Sequence, residues 1–195
     1  MEYGLNKDEL LFELRQWNKF LKRKVHLIAC GGTALTLMDI KESTKDVDFM
    51  VPVENEFVYL AKTLKELGYK QVTAFGWQRE NDVFRYDLFR GNAIHTTELF
   101  ESPIVEGRHE LLKEFSRLYV GILNDYDLIA SKLFRGLTVD IEDCMMLVKA
   151  HKENLDIKHL EVHSKKLASY DVSVDRINGV IDYFIGLLEE RNLYD

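Results

Sequence analysis

An α/β (α+β) fold is predicted: a small mixed β-sheet flanked by helices, followed by a helical C-terminal part. Three features of the 195-residue chain predict it. Short apolar runs alternate with amphipathic helical periods as far as about residue 122. From Asn124 onward the period is helical throughout. The composition, 46% hydrophobic and 30% charged with two prolines, supplies a real core and sets disordered and proline-rich architectures aside. The expected division is an α/β core over 1–122 and a helical part over 123–195 packed on it.

The elements follow in order. Asn6 with Glu9 three residues on is a capping-box signal, and Leu10, Leu14, Trp17 and Leu21 mark one apolar helix face behind it. Arg15, Lys19, Lys22, Arg23 and Lys24 crowd the end of that helix, where cations complement its dipole. Val25 to Ala29 is a short apolar strand broken at Gly31-Gly32, and a helix over Thr33 to Met38 opens directly from the glycines. Asp46 to Val51 is a second strand. Phe57, Leu60, Ala61, Leu64 and Leu67 form a helix closed by Gly68. Strands are expected near Lys70 to Phe75, Val83 to Phe89 and Arg117 to Ile122. Four helices complete the chain: one capped by Asn124 and ended by Gly136, one over Val139 to His151, one over Ile157 to Ser169, and one capped by Ser173 and carrying Ile177, Ile181, Phe184 and Leu188.

With 26 basic and 33 acidic residues the net charge is −7, so a general polyanion binder is not expected, although a local basic patch can still meet RNA. No apolar run approaches the roughly 20 residues of a membrane span, so no membrane partner is expected. The start, MEYGLNKDEL, lacks the pattern of a signal peptide, and Cys30 and Cys144 form neither a CxxC nor a disulfide framework. Free thiols suit a cytoplasmic location.

The chemistry concentrates in Ile28-Ala-Cys-Gly-Gly-Thr-Ala-Leu and Lys45-Asp-Val-Asp-Phe-Met-Val. A strand ending in two glycines that open a helix leaves backbone amides free, so Gly31 and Gly32, with the Thr33 hydroxyl, are candidates to cradle phosphate. By itself such a turn is more often only a tight turn. Asp46 and Asp48 add to it, because residues i and i+2 of a strand share a face. Two adjacent carboxylates on a core strand repel unless a cation neutralises them, and an all-oxygen pair suits Mg²⁺ or Mn²⁺. The plainer alternative is that Asp46 caps the strand entrance and Asp48 pairs with a lysine.

Gly-Gly-Thr-Ala followed by Thr-Lys-Asp-Val-Asp-Phe resembles the nucleotidyltransferase superfamily of the DNA polymerase β type. The resemblance implies that fold, an NTP substrate, and a third carboxylate from a later strand. Asp87, in Val83-Phe-Arg-Tyr-Asp-Leu-Phe, fits that place better than Asp82, which sits beside Asn81 where turns favour acids. The later segment Asp127-Leu-Ile-Ala-Ser-Lys132-Leu-Phe-Arg135-Gly, with Asp140-Ile-Glu-Asp143 after it, resembles the AbiEii-like toxin branch. The two resemblances together cover roughly residues 25 to 150.

They imply transfer of a nucleoside monophosphate to an RNA, tRNA, protein or small-molecule acceptor, with an antitoxin protein as a possible partner. Asp46, Asp48 and Asp87 would be the metal ligands and catalytic acids. Lys132 would offset triphosphate charge, oriented by Asp143, with Asp140 on the same helix face. An ordinary interhelical ion pair is the alternative for Lys132, and Arg135 shares that ambiguity. The rival reading for the whole chain is a non-catalytic module of this fold that binds a nucleotide or a partner.

Other motifs point nowhere. His159 and His163 have ligand-like spacing but no HExxH context and read as solvated, and no GxxxxGK or GxGxxG occurs. Cys30 has no histidine partner in view and reads as a small buried residue. Arg79, Arg85 and Arg90 flank the Asp87 strand and read as a solvated strand face, with the lining of a substrate groove as the alternative.

Overall fold

The computed structural model describes residues 4–194. The first three residues, part of the polar start read above, and Asp195 lie outside the described residues. In chain order the elements are α1 (Lys7–Phe20), β1 (Val25–Ala29), α2 (Gly31–Leu37), β2 (Val47–Val51), α3 (Glu54–Glu66), β3 (Tyr69–Gln71), β4 (Gly76–Arg79), β5 (Tyr86–Arg90), β6 (Ala93–Ile94), β7 (Thr97–Glu98), β8 (His109–Glu114) and β9 (Leu118–Leu123). Helices α4 (Asp125–Arg135), α5 (Thr138–Ala150), α6 (Ile157–Ala168) and α7 (Val174–Glu190) follow.

Seven of the strands form one mixed sheet in the order β3-β4-β5-β2-β1-β9-β8, and β6 and β7 make a small hairpin. Its centre is β5-β2-β1-β9: β2 runs parallel to β5 and antiparallel to β1, and β1 runs parallel to β9. These four strands are almost wholly buried because they are apolar on both faces, Val-Asp-Phe-Met-Val being typical.

Helix α1 begins as its capping box dictates: the Asn6 side chain accepts from the Glu9 amide at 3.0 Å, and Glu9 accepts from the Asn6 amide at 2.9 Å. Its buried face, Leu10, Leu14 and Trp17, meets the sheet where the Trp17 indole donates to the Tyr69 hydroxyl at 3.1 Å and packs on Tyr86. Neighbours in a strand alternate faces, so Tyr86 facing α1 leaves Asp87 on the opposite face. Asn124 caps α4, and Gly136 ends it in the left-handed region at φ +69°. Ser173 stands at the N-cap of α7 but makes no capping bond.

The structure corrects several boundaries. β2 starts at Val47, so Asp46 sits in the bend that enters the strand. The run after Gly68 is strand only over β3, and β5 begins three residues later than Val83. β4 and β8 were not anticipated. β4 opens with a glycine, and β8, His-Glu-Leu-Leu-Lys-Glu, carries no alternation because it is a half-exposed edge strand. Among the described residues no helix is long and apolar enough to cross a membrane.

Candidate active site

The parallel pairing of β2 and β5 sets Asp48 directly opposite Asp87. Register partners in a sheet project to the same face, so the two carboxylates adjoin. Asp46, two residues before Asp48, lines the same cavity of about 530 Å³ together with Gly32, Lys41, Arg85, His95, Lys132 and Arg135. Asp46, Asp48, Asp87, Lys132 and Gly32 are therefore brought together. Asp82 is not: it pairs with Arg79 at 2.8 Å and lines a different cavity.

The glycine turn is shaped around Asp48. Gly31 has φ +58°, and a Cβ there would lie 2.2 Å from Asp48 Oδ2. A Cβ on Gly32 would lie 2.8 Å from Thr44 Oγ1. Thr33 is fully buried, and its hydroxyl donates to the Asp46 carbonyl at 3.1 Å and accepts from the Asp48 amide at 2.9 Å. Thr44 donates to the same Asp46 carbonyl at 2.8 Å. Two threonines thus hold the Asp46–Asp48 backbone, and the Thr33 hydroxyl expected at phosphate is engaged in that hold. Gly31→Ala should destabilise the protein by about 1–3 kcal/mol from backbone strain alone and push Asp48 out of place. A melting temperature unchanged from wild type would contradict this.

The charges are unequally matched. Burial, then the neighbouring Asp87 and Asp46 carboxylates, raise the Asp48 pKa to about 7. Among the described residues no hydrogen bond reaches the Asp48 carboxylate. Asp87, by contrast, is gripped by Arg85, with Nε to Oδ1 at 2.8 Å and Nη2 to Oδ2 at 3.1 Å, and Nη2 also reaches Asp46 Oδ1 at 3.5 Å. Arg85 does not lie on the solvated strand face read from the sequence, whereas Arg79 and Arg90 do form exposed pairs, with Asp82 and Glu54.

The facing wall comes from α4, α5 and the loop after α2. Lys132 is 2% exposed and donates to Asp143 Oδ2 at 2.7 Å, and Lys41 donates to Oδ1 of the same carboxylate at 2.8 Å. Burial alone would raise the Asp143 pKa, but the two ammonium groups, Lys132 first, hold it below the ordinary value. Arg135 grips Asp140, which is fully buried and also accepts from the Leu137 amide at 3.3 Å. Burial, then the nearby Arg135, lower the His95 pKa and so favour its neutral imidazole.

Sequence reasoning missed Lys41 and set the groove reading of Arg85 below the solvated one, whereas Arg85 lines the cavity. Lys41 sits in an irregular loop with no periodicity to mark it. Arg85 had a signal, its i, i+2 spacing to Asp87 on one strand face. His163 is not solvated either: it is nearly buried and meets Asp127 at 2.8 Å. Cys30 is fully buried with its thiol pKa pushed up by burial, as a small core residue would be.

Among the described residues no three His, Cys, Asp or Glu side chains close into a ligand cluster, and the Arg85 guanidinium bridges Asp87 and Asp46. In chemistry the donor set still fits a hard divalent cation. All the donors are carboxylate oxygens, and among the described residues no ion pair is made to Asp48, whose ionised form burial and the neighbouring carboxylates disfavour until a cation arrives.

A family model described as "Nucleotidyltransferase of unknown function" (DUF6036) matches residues 9–184. No curated protein matches the chain. Among solved structures, the chain is similar to ANT(2'')-Ia in complex with adenylyl-2''-tobramycin. The TM-score is 0.56 at 18% identity, covering 82% of this chain and 95% of that one. A solution structure of the antibiotic-resistance factor ANT(2'')-Ia gives 0.51 at 15% identity over 94% and 95% of the two chains. A nucleotidyltransferase-like structure, TM1012 from Thermotoga maritima, gives 0.48 at 16% identity over 78% and 98%. The likeness to ANT(2'')-Ia supports the mixed-sheet fold, and the family match does not extend to the AbiEii-like branch.

Proposed function

The chain belongs to the DUF6036 nucleotidyltransferase family, and from that premise we propose that it transfers a nucleoside monophosphate from an NTP to an acceptor hydroxyl in a reaction that requires a divalent metal. The observation that carries this reading is the Asp48–Asp87 register pair with Asp46 beside it, set over a glycine turn and facing Lys41 and Lys132.

Asp46 and Asp48 would hold Mg²⁺ or Mn²⁺, joined by Asp87. When bound, such an ion neutralises triphosphate charge and favours the ionised acceptor hydroxyl. Transfer of this kind asks mainly for positioning and charge neutralisation from the protein. Gly32 at the start of α2 lines the cavity and lets phosphate oxygens approach the backbone, whereas the open side of Gly31 is taken by the Asp48 carboxylate. Lys41, the more exposed of the two lysines, meets the phosphates, while Lys132 supplies a fixed positive charge behind it. Asp87 has two alternative roles, as a further ligand of the metal or as the group that takes the proton from the acceptor hydroxyl while the new phosphoester bond forms and the bond to pyrophosphate breaks on the opposite side.

The test is to incubate the protein with each NTP, labelled on the α-phosphate, with Mg²⁺ and separate cellular RNA, protein and small-molecule fractions. Label should move to one fraction with release of pyrophosphate. Binding of NTP without transfer to any fraction would instead identify a nucleotide-binding module.

A melt supplies an independent check. The Asp48 pKa is raised from 3.8 to about 7 on folding, so the folded state holds its proton more tightly. The resulting penalty is absent below the unfolded pKa, grows between about pH 4 and pH 7, and is complete above that window. Without metal, Asp48→Asn should melt above wild type at pH 8, by on the order of 1 kcal/mol and with a ceiling of about 4 kcal/mol, and the gap should narrow at pH 5. Mn²⁺ at 100-fold over its Kd should stabilise wild type by about 2.7 kcal/mol and leave Asp48→Asn unmoved. Destabilisation by Asn, with no metal response in either protein, would make Asp48 a structural acid.

A further inference from the structure

Arg85 occupies a seat made for it. Its fork takes both oxygens of Asp87 and extends to Asp46. Across the sheet Asp87 is paired with Gly76 of β4, where a Cβ would lie 2.5 Å from Arg85 Cδ and 2.9 Å from Asp87 Oδ1. The neighbouring strand therefore carries no side chain where the stem of the arginine and the carboxylate it grips must lie. The same guanidinium stands where a cation shared by Asp46 and Asp87 would stand.

We propose that Arg85 is the resident counter-cation of the carboxylate cluster: it withholds Asp87 and Asp46 from free divalent metal and releases them when the triphosphate of an NTP takes the guanidinium. This rests on the metal-dependent reading above and adds an order of loading to it. The physical case is one of competition. A bidentate guanidinium–carboxylate pair is among the stronger charge-assisted contacts, so a metal alone must displace it or sit beside a like charge. Phosphate offers the same planar fork an equal partner, which a nucleotide brings and a bare ion does not. Exposure separates the cations of the cavity: the Arg85 side chain is 36% exposed, so a nucleotide can reach it, whereas the Lys132 side chain is 3% exposed and paired with Asp143. The cluster thus fills with metal and nucleotide together.

The test is a calorimetric titration of the whole chain with Mn²⁺, without nucleotide and then with a non-hydrolysable NTP, for wild type, Arg85→Gln, Arg85→Lys and Asp48→Asn. Arg85→Gln should bind Mn²⁺ alone roughly ten-fold more tightly than wild type, since a like charge next to the ligands is gone. Adding the NTP analogue should tighten Mn²⁺ binding more in wild type than in Arg85→Gln. Should Arg85→Gln fail to fold, Arg85→Lys gives the same reading, because it keeps a charge but loses the fork and should tighten Mn²⁺ binding by a smaller factor. Equal Mn²⁺ affinity in wild type and the Arg85 variants, with binding lost in Asp48→Asn, would overturn the counter-cation role and leave the metal site standing. No Mn²⁺ binding in wild type or the Arg85 variants, with or without nucleotide, would overturn the metal-dependent reading and this proposal with it.

Discussion

Asp48→Asn should lower nucleotidyl transfer by at least about 10³-fold, equivalent to about 4 kcal/mol of transition-state stabilisation, while leaving the protein folded. The size follows from its position. Asp48 is the central acid, opposite Asp87 in the register and two residues from Asp46. The fold survives because Asn preserves the shape against Gly31, and the backbone there is held by Thr33, which bonds the Asp48 amide and not its carboxylate. Initial rates of labelled-nucleotide transfer and a far-UV melt are the two readouts. Retention of activity within roughly ten-fold would remove Asp48 from the chemistry.

Asp143→Ala should be the most destabilising of these changes, by about 3–5 kcal/mol, because it strands an ammonium in the interior. Lys132 is 2% exposed, and its other acidic neighbour, Asp140, is 3.8 Å away and already gripped by Arg135. Lys41 loses the same partner but is exposed enough to turn to water. For a chain of this length the loss corresponds to a fall in Tm of about 10 °C. Replacing both members, Lys132→Met with Asp143→Leu, should recover most of it, since a buried pair and a well-packed apolar pair of similar volume are close in stability. A urea titration in which Asp143→Ala costs less than about 1 kcal/mol would show that Lys132 finds solvent, and its role as a fixed charge would fall with that result.

Much of this was legible in the residues, for reasons that are local. The Asn6–Glu9 box, the Asn124 cap and the Gly136 stop are set by nearest neighbours in the chain, and each stands where the pattern puts it. The glycines before α2 are legible as a turn, but their reason, the Asp48 carboxylate lying against Gly31, is a contact across 17 positions that no local pattern carries. Asp87 was reachable because an acid in an apolar run is conspicuous. Arg85 was discounted because arginines on a strand ordinarily face water. Lys41 could not be found at all, since only the fold brings it to Asp143. β8 was lost because a half-exposed edge strand rich in Glu and Lys has neither the alternation nor the apolar content by which strands are recognised.

The order of strands carries a consequence for how the protein is made. β1 pairs on one side with β2, soon after it in the chain, and on the other with β9, where Val25 meets Leu118. During synthesis β1 must therefore wait, its second edge open, until nearly two-thirds of the chain has been translated. Parallel pairing between such distant segments carries a large loop-closure cost and is slow. An unsatisfied apolar edge is also an invitation to other chains. Chains truncated before β9 should then aggregate, and refolding of the full chain should be limited by the docking of β9, in milliseconds to seconds and not microseconds. The Asp48–Asp87 pair belongs to β2 and β5, but the facing wall of the cavity needs Lys132 and Asp143, which are translated after β9, so the carboxylates are made before the cations that face them.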